Sequence, residues 1–218
     1  MIFGATGMVG QGVLRECLLA SDVDKVLCVG RSPSGQRHPK LEDLVIKDLF
    51  DYSAVESRLT GFDACFFCLG VSSVGKSEAE YRRVSYDLPL AAATVLARLN
   101  PQMTFTFVTG RGCDSTERGP IMWARVKGAA ENALLKLPFK GAYMFRPGVI
   151  QPLHGVRSKT LLYHAAYVAL APVLGLWRAL SPDAITTSER VGKAMLAVAR
   201  RGAPNPFVEM ADINRLGS

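Results

Sequence analysis

Three glycines near the amino terminus form a candidate anion-binding loop. They lie in the segment GATGMVG, directly after a short apolar run and at the start of an amphipathic stretch. In a strand–turn–helix unit, the first glycine permits a tight turn, the second lets the backbone approach a phosphate, and the third lets the helix pack closely. The unpaired N–H groups at the helix start then attract the anion, which predicts dinucleotide binding. The residues predicted to contact the dinucleotide here are Gly4, Thr6, Gly7, Met8, Val9 and Gly10.

The end of the second apolar run bears on which dinucleotide binds. It reads Val29-Gly30-Arg31-Ser32 and contains no Asp or Glu. A carboxylate at this point binds the ribose 2′-hydroxyl of NAD, whereas an arginine can pair with the 2′-phosphate of NADP. The sequence therefore favours NADP over NAD, with Arg31 and Ser32 at the 2′-phosphate. A solvated loop arginine is the alternative.

Two later strand ends carry further candidate contacts. Asp48, followed by Leu49, can accept a hydrogen bond from the adenine amino group. The segment Leu69-Gly70-Val71 places a glycine where the backbone can pass close to the cofactor ribose. Ligands of open α/β sheets bind at the carboxyl ends of the strands, which is where all of these residues fall.

The second half of the chain carries the segments on which a family resemblance depends. Thr109 ends the fifth predicted strand, WARVKG follows at 123–128 with Glu131 after it, and RPG stands at 146–148. Together with GATGMVG and VGR, these segments resemble the short-chain dehydrogenase/reductase superfamily, in its atypical, extended-like branch, over almost the whole chain. The WARVKG segment, the strand before RPG and the ending VEMADINRLG are similar to the Tat-interacting-protein-like oxidoreductases and to NAD(P)-binding, epimerase-like bacterial proteins.

The resemblance implies a catalytic set made of a hydroxyl, a tyrosine and a lysine. By position, Thr109 takes the hydroxyl role and Lys127 the role of the lysine that binds the nicotinamide ribose, while Trp123 stands in place of the tyrosine. An indole N–H can donate a hydrogen bond, but it has no accessible pKa and cannot act as a general acid or base. The proton source is left open among Tyr81, Tyr86, Tyr143, Cys113 and water. The family pattern also places Pro147, Gly148 and Val149 beside the nicotinamide.

Two functions are compatible with this mixed set. The first is an NADP(H)-dependent oxidoreductase that reduces a small carbonyl or double bond, which Thr109, Lys127 and the glycine loop favour. The second is an NADP(H)-binding redox sensor or regulatory protein without classical activity, which Trp123 favours. An arginine such as Arg111 or Arg125 could recognise an acidic substrate, although a surface salt bridge is the commoner role.

The elements that must position these residues alternate between apolar runs and helical patterns. Continuously apolar runs separated by helices predict a Rossmann-type, doubly wound parallel sheet flanked by helices. The predicted strands are Ile2-Phe3, Val26–Val29, Leu44–Ile46, Ala64–Leu69, Phe105–Thr109, Tyr143–Phe145 and Phe207–Met210. The predicted helices are Met8–Ala20, Tyr52–Leu59, Glu78–Leu99, Met122–Lys136 and Ser188–Arg201. Residues 1–150 are predicted to form the dinucleotide-binding domain and 151–218 a small helical substrate lobe, with the last strand rejoining the sheet.

Composition limits the partners. The 218 residues carry a formal net charge of +7, and the basic residues form no run longer than two. This diffuse charge predicts a small-molecule substrate and no nucleic-acid partner. The apolar stretch Leu161–Trp177 is shorter than the ~20 residues of a membrane span, so no stable membrane insertion is predicted. A membrane-surface or nucleic-acid module is a third hypothesis, and the resemblance implies a homodimer through helices that flank the sheet.

The five cysteines are interpreted as unpaired thiols. Their odd number in a chain of this size predicts a reducing compartment and a cytoplasmic location. Cys65 and Cys68 have CxxC spacing, but residues three apart on a strand point to opposite faces. Because no second pair exists, core packing is predicted and no metal site.

Overall fold

A seven-stranded parallel sheet with helices on both faces forms the centre of the molecule. The structure, a computed structural model, describes residues 1–156 and 185–218. The strands are β1 (Ile2–Phe3), β2 (Val26–Gly30), β3 (Leu41–Val45), β4 (Ala64–Phe67), β5 (Thr104–Val108), β6 (Gly141–Arg146), β7 (Val149–Gln151), β8 (Ile185–Thr187) and β9 (Phe207–Glu209). The sheet has the order β3-β2-β1-β4-β5-β6-β9, and β7 pairs with β8 separately. The predicted doubly wound parallel sheet is confirmed.

The helices lie on both faces of the sheet, with α1, α5 and α6 on one face and α3 and α4 on the other. They are α1 (Met8–Leu19), α2 (Glu78–Arg82), α3 (Leu88–Leu99), α4 (Met122–Leu134), α5 (Ser188–Arg201) and α6 (Met210–Leu216). The stretch predicted as a helix over Tyr52–Leu59 is a 3₁₀ helix, Ser53–Arg58. The predicted helix Glu78–Leu99 is interrupted by a π-helical turn, Arg83–Asp87. Pro89 accounts for this interruption, because it has no N–H to donate to the carbonyl of the preceding turn.

Strand β1 is short but central. It pairs in parallel with β2 on one side and with β4 on the other. Both of its side chains are fully buried, Ile2 on one face of the sheet and Phe3 on the other. The Phe3 ring stacks on Phe67 of β4 at 5.1 Å between centroids. Because β1 leads directly into the glycine loop, this packing holds the loop at the middle of the sheet.

Two hydrophobic cores lie on the two faces of the sheet. The first contains Phe67, Phe105 and Phe107 packed against α3 and α4 residues such as Leu96 and Leu134. The second core lies under α1, α5 and α6, and its members include Ile2, Val13, Leu14, Phe145, Val191, Val198 and Ile213. Cys65 belongs to the first core and Cys68 packs against the second.

Residues 185–218 are built into the sheet and its second core. Strand β9 pairs with β6, and α5 packs along α1. The division of the chain at residue 150 stays a prediction, because residues 157–184 of the proposed lobe, including Leu161–Trp177, lie outside the described residues. Within the described ranges, none of the helices has the length and apolar character needed to cross a membrane.

Candidate functional site

A cavity of about 510 Å³ opens at the carboxyl ends of β1, β2, β3 and β4. It brings together the glycine loop and the three strand ends that the sequence singles out. The predicted cofactor residues that line it are Gly4, Thr6, Gly7, Arg31, Ser32, Asp48, Leu49, Leu69, Gly70 and Val71. The other predicted contacts, Met8, Val9, Gly10, Thr109, Lys127, Pro147, Gly148 and Val149, do not line this cavity.

The glycine loop has the tight geometry that its spacing predicts. Gly4 adopts a φ of +80°, and a Cβ there would lie 2.7 Å from the backbone nitrogen of Leu69. The Gly7 N–H donates to the Gly4 carbonyl at 2.9 Å, which closes the turn. A Cβ on Gly10 would overlap the Gly4 carbonyl oxygen, so this glycine serves the packing of α1 on the loop.

The start of α1 is open to an anion. Gly7 is its N-cap, no side chain caps the first turn, and the first turn holds no acidic residue. The first N–H groups of a helix have no partner within the helix, and they carry a partial positive charge. Gly7 lines the cavity, so this helix end faces the space where a phosphate group can bind.

In the part of the chain that the structure describes, three cations and one carboxylate are the charged residues that line the cavity: Arg31, Lys47, Arg83 and Asp48. The Asp48 carboxylate accepts a hydrogen bond from the Phe50 N–H at 2.9 Å, which shapes the turn after β3. The loop after β2 is held by Asp43, which accepts hydrogen bonds from the N–H and the hydroxyl of Ser34, each at 3.0 Å. Sequence reasoning missed Lys47, Phe50 and Arg83 as cavity residues. For Arg83, the adjacent basic pair Arg82-Arg83 was the feature of the sequence that could have indicated a binding role.

A buried ionic network surrounds Thr109 at the end of β5. The Thr109 hydroxyl donates to Glu131 Oε1 at 2.6 Å, and its oxygen lies 3.1 Å from the Phe145 carbonyl. Glu131 is fully buried and is bound by Arg146 through Nε and Nη2, at 3.0 and 2.5 Å. Glu131 raises the pKa of the Arg146 guanidinium above its already high value. Because a hydroxyl has one proton, that of Thr109 is committed to Glu131.

Lys127 lies one helical turn before Glu131 on α4 and is also buried. Its Nζ donates to the Val108 carbonyl at 3.2 Å and lies 4.6 Å from the centre of the Phe107 ring. Burial lowers the pKa of Lys127 to about 8, against the opposing influence of Cys113 and Glu131. A Cβ on Gly70 would lie 3.9 Å from this Nζ, so the ammonium group is next to the cavity wall.

Trp123 and Cys113 complete the surroundings of α4. The Trp123 ring lies 3.8 Å from the Cβ position of Gly112, in the loop between β5 and α4. Cys113 is buried, and burial raises the pKa of its thiol to about 11, so the thiol is protonated at neutral pH.

Tyr81 is buried in α2, and burial raises the pKa of its hydroxyl as well. The Tyr143 hydroxyl lies against Gly202, just after α5.

The segment predicted to face a nicotinamide lies next to the end of β5. The Pro147 carbonyl accepts a hydrogen bond from the Arg111 N–H at 2.9 Å. The Arg111 side chain then passes Gly148, whose Cβ position is 3.8 Å from Arg111 Cδ. Arg125, by contrast, pairs with Glu78 at 2.8 Å at the surface.

Several solved structures with the same architecture hold NAD. A short-chain dehydrogenase/reductase from Saccharomyces cerevisiae matches with a TM-score of 0.67 and 13% identity, over 100% of this chain and 98% of that one. The dTDP-glucose 4,6-dehydratase DesIV from Streptomyces venezuelae, solved with NAD bound, matches with a TM-score of 0.69 and 13% identity, over 96% of this chain and 74% of that one. The chain has the short-chain dehydrogenase/reductase fold.

Relatives in sequence agree with this fold. Leucinostatins biosynthesis cluster protein T of Purpureocillium lilacinum is 28% identical over 224 residues, 89% of this chain and 82% of that protein. Protein fmp52-2 of Aspergillus terreus is 25% identical over 99% of this chain and 95% of its own length. Protein HTATIP2 of Rattus norvegicus is 28% identical over 152 residues, 68% of this chain and 61% of that protein. No protein-family model matches the chain. The predicted resemblance is confirmed by these relatives and by the fold.

The prediction of a cytoplasmic location was wrong. The fmp52 relatives, three of which align with 99% of this chain, are named as mitochondrial proteins. Unpaired cysteines indicate a reducing compartment in preference to an oxidising one. Unpaired cysteines do not distinguish the cytoplasm from the interior of an organelle, so their number could not support a cytoplasmic location.

Proposed function

We propose that the chain is an NADP(H)-binding oxidoreductase of the atypical short-chain dehydrogenase type, which reduces a small carbonyl or double bond. The observation that carries this is the cavity in which the glycine loop, Arg31 and Gly70 meet at the strand ends, with the Lys127 ammonium group against its wall. The dehydratase solved with NAD supports a dinucleotide in general. The preference for NADP depends on Arg31 and on the absence of a carboxylate beside it.

The residues of the cavity fit the parts of such a dinucleotide. The start of α1 and Gly7 suit the pyrophosphate. Gly7 has no Cβ, so a phosphate can approach the backbone, and the first N–H groups of the helix have no partner within the helix. Arg31 and Ser32 would hold the 2′-phosphate, Leu49 and Val71 would flank the adenosine, and Lys127 would hold the nicotinamide ribose. A bound nicotinamide supplies the hydride.

Protonation of the product requires a group that this chain must supply. Thr109 has committed its proton to Glu131, and Trp123 has no accessible pKa. Lys127 and Cys113 are the protic groups next to Thr109 and Val108, and both are protonated at neutral pH. Of the two, Lys127 is the better matched to general acid catalysis, because a catalytic pKa near the working pH is most effective.

Binding and turnover measurements test the proposal. Calorimetric titration should give tighter binding of NADPH than of NADH, and Arg31→Gln should weaken NADPH binding about tenfold or more, as expected for a charge-assisted contact. Arg37→Gln, an exposed arginine of the same loop outside the cavity, is the control and should bind as the unaltered chain does. NADPH oxidation is then followed with a panel of aldehydes, ketones and activated alkenes, for the unaltered chain and for Lys127→Met. Failure to bind either dinucleotide at millimolar concentration contradicts the proposal.

A second candidate function is an NADP(H)-binding sensor or regulatory protein without turnover. It is favoured by Trp123 in the tyrosine position and by the engaged hydroxyl of Thr109. Trp123→Tyr distinguishes the two, since it restores an ionisable group at that position. Tight NADPH binding without turnover, in both the unaltered chain and Trp123→Tyr, favours the sensor.

A further inference from the structure

Arg83 reaches the dinucleotide cavity from the helical layer and not from a strand end. It is the first residue of the π-helical turn between α2 and α3, and it lines the cavity with Val84 and Leu88. Its guanidinium lies over the Phe50 ring, 4.6 Å from the centroid, and Phe50 lines the same cavity. Among the described residues, no carboxylate forms an ion pair with Arg83. The guanidinium is therefore available to a ligand in the cavity.

The neighbouring arginine shows that this placement is specific to one position. Arg82 stacks over Tyr86 at 3.9 Å and does not line the cavity. Both side chains are exposed arginines held on aromatic rings, so they share charge, length and the kind of aromatic contact. They differ in that Arg83 lines the cavity and Arg82 does not. This difference provides a matched pair for experiment.

The charge of the cavity favours a second anion besides the pyrophosphate. Of the described residues that line it, Arg31, Lys47 and Arg83 are cationic and one, Asp48, is a carboxylate, which accepts a hydrogen bond from the Phe50 N–H. The pyrophosphate is accommodated by the backbone of the glycine loop and the α1 start, which need no side-chain cation. A phosphate monoester carries about −1.5 to −2 charges near neutral pH, which balances the excess of cations.

We propose that Arg83 binds the 2′-phosphate of NADP together with Arg31, with its guanidinium positioned by Phe50. The inference depends on the proposed NADP binding and adds a specificity residue from a different element. Stacking on Phe50 limits the conformations of the arginine before the ligand arrives, so less entropy is lost on binding. The planar guanidinium can then donate two parallel hydrogen bonds to the phosphate oxygens.

Four ligands and two matched variants test this assignment. Arg83→Met keeps the alkyl stem and removes the charge, and Arg82→Met is its control. Dissociation constants are measured by calorimetry for NADPH, NADH, 2′,5′-ADP and 5′-AMP. Arg83→Met should weaken NADPH and 2′,5′-ADP about tenfold or more, the effect of a lost charge-assisted contact, and leave NADH and 5′-AMP within about twofold. Arg83→Lys should recover part of the loss, and Arg82→Met should change nothing.

The outcomes separate this inference from the proposed function. If Arg31→Gln loses NADPH affinity while Arg83→Met does not, the assignment of Arg83 is wrong and NADP binding stands. Equal losses for NADPH and NADH in Arg83→Met also overturn it, because they indicate contact with a part common to both. The same loss in Arg82→Met would show a general effect of charge and overturn it too. Absence of NADPH binding by the unaltered chain overturns the proposed function and this inference together.

Discussion

At the scale of single residues, the buried carboxylate of Glu131 organises the end of β5. It accepts the Thr109 hydroxyl proton and is bound by Arg146, whose side chain is only 12% exposed. Arg146 also stacks on Phe207 and reaches Glu209 at 3.2 Å, so it joins α4 to β9. A carboxylate removed from water is tolerated only when it is fully paired.

Removing the arginine should therefore be costly. Arg146→Met leaves Glu131 buried without its cation, and we expect a loss of about 3–5 kcal/mol in the free energy of unfolding. Arg200→Met provides the control, because its pair with Asp22 lies at the surface with the arginine side chain 47% exposed. That control should lose less than about 1 kcal/mol. Urea denaturation of both variants measures the two values, and equal losses would contradict the role given to Glu131.

At the scale of elements, helices α1 and α5, from the first and last parts of the chain, cross closely at two glycines. A Cβ on Gly12 of α1 would lie 2.5 Å from the Ser188 carbonyl oxygen at the start of α5. A Cβ on Gly192 of α5 would lie 2.9 Å from the Gly12 carbonyl oxygen. Because both of these carbonyl oxygens belong to the backbone, the helices cannot relieve the contacts by rotating a side chain. The close crossing holds α1, and with it the glycine loop, against α5.

Gly12→Ala should separate these helices. Overpacking costs about 1–3 kcal/mol, and the higher helix propensity of alanine offsets up to about 1 kcal/mol of this. We therefore expect a net loss of stability, read as a lower midpoint of thermal unfolding. Gly110→Ala is the comparison, because the nearest atom to its Cβ position is 4.0 Å away. An unchanged midpoint in Gly12→Ala would show that the helices adjust without cost.

At the scale of the whole molecule, the two ends of the chain share one core. Val191 and Ile213, from the last part of the chain, pack in the same cluster as Ile2 and Phe145. Strand β9 also completes the sheet beside β6. Elements that share a core and a sheet gain their stability together, which favours one cooperative unit over two separate domains.

Calorimetry should therefore show a single unfolding transition. The calorimetric and van't Hoff enthalpies are expected to agree, and NADPH should shift the transition upward as one peak. On the proposed binding of NADPH to the folded form alone, NADPH at 100 times its dissociation constant should stabilise the native state by about 2.7 kcal/mol. Two separable transitions would instead support an independent unit at the carboxyl-terminal end.

Local spacing was enough to predict the glycine loop, the parallel sheet and the strand-end residues that line one cavity. These features depend on short-range rules: a glycine triplet, apolar runs and the residues that directly follow them in sequence. The ten predicted residues that line the cavity lie in the glycine loop or follow β2, β3 and β4, so the alternation of strands and helices was sufficient to bring them together.

Tertiary structure alone decided the partners of the remaining residues. The hydroxyl of Thr109 was expected to face a substrate, but Glu131, 22 residues away, accepts its proton. Arg83 reaches the cavity from a π-helical turn that the sequence pattern predicted as regular helix, and Arg82 beside it does not. Sequence spacing determines which side chains share a face of one element. Which elements then face each other is set by strand order and by the packing of helices on the sheet, and these depend on contacts between distant parts of the chain.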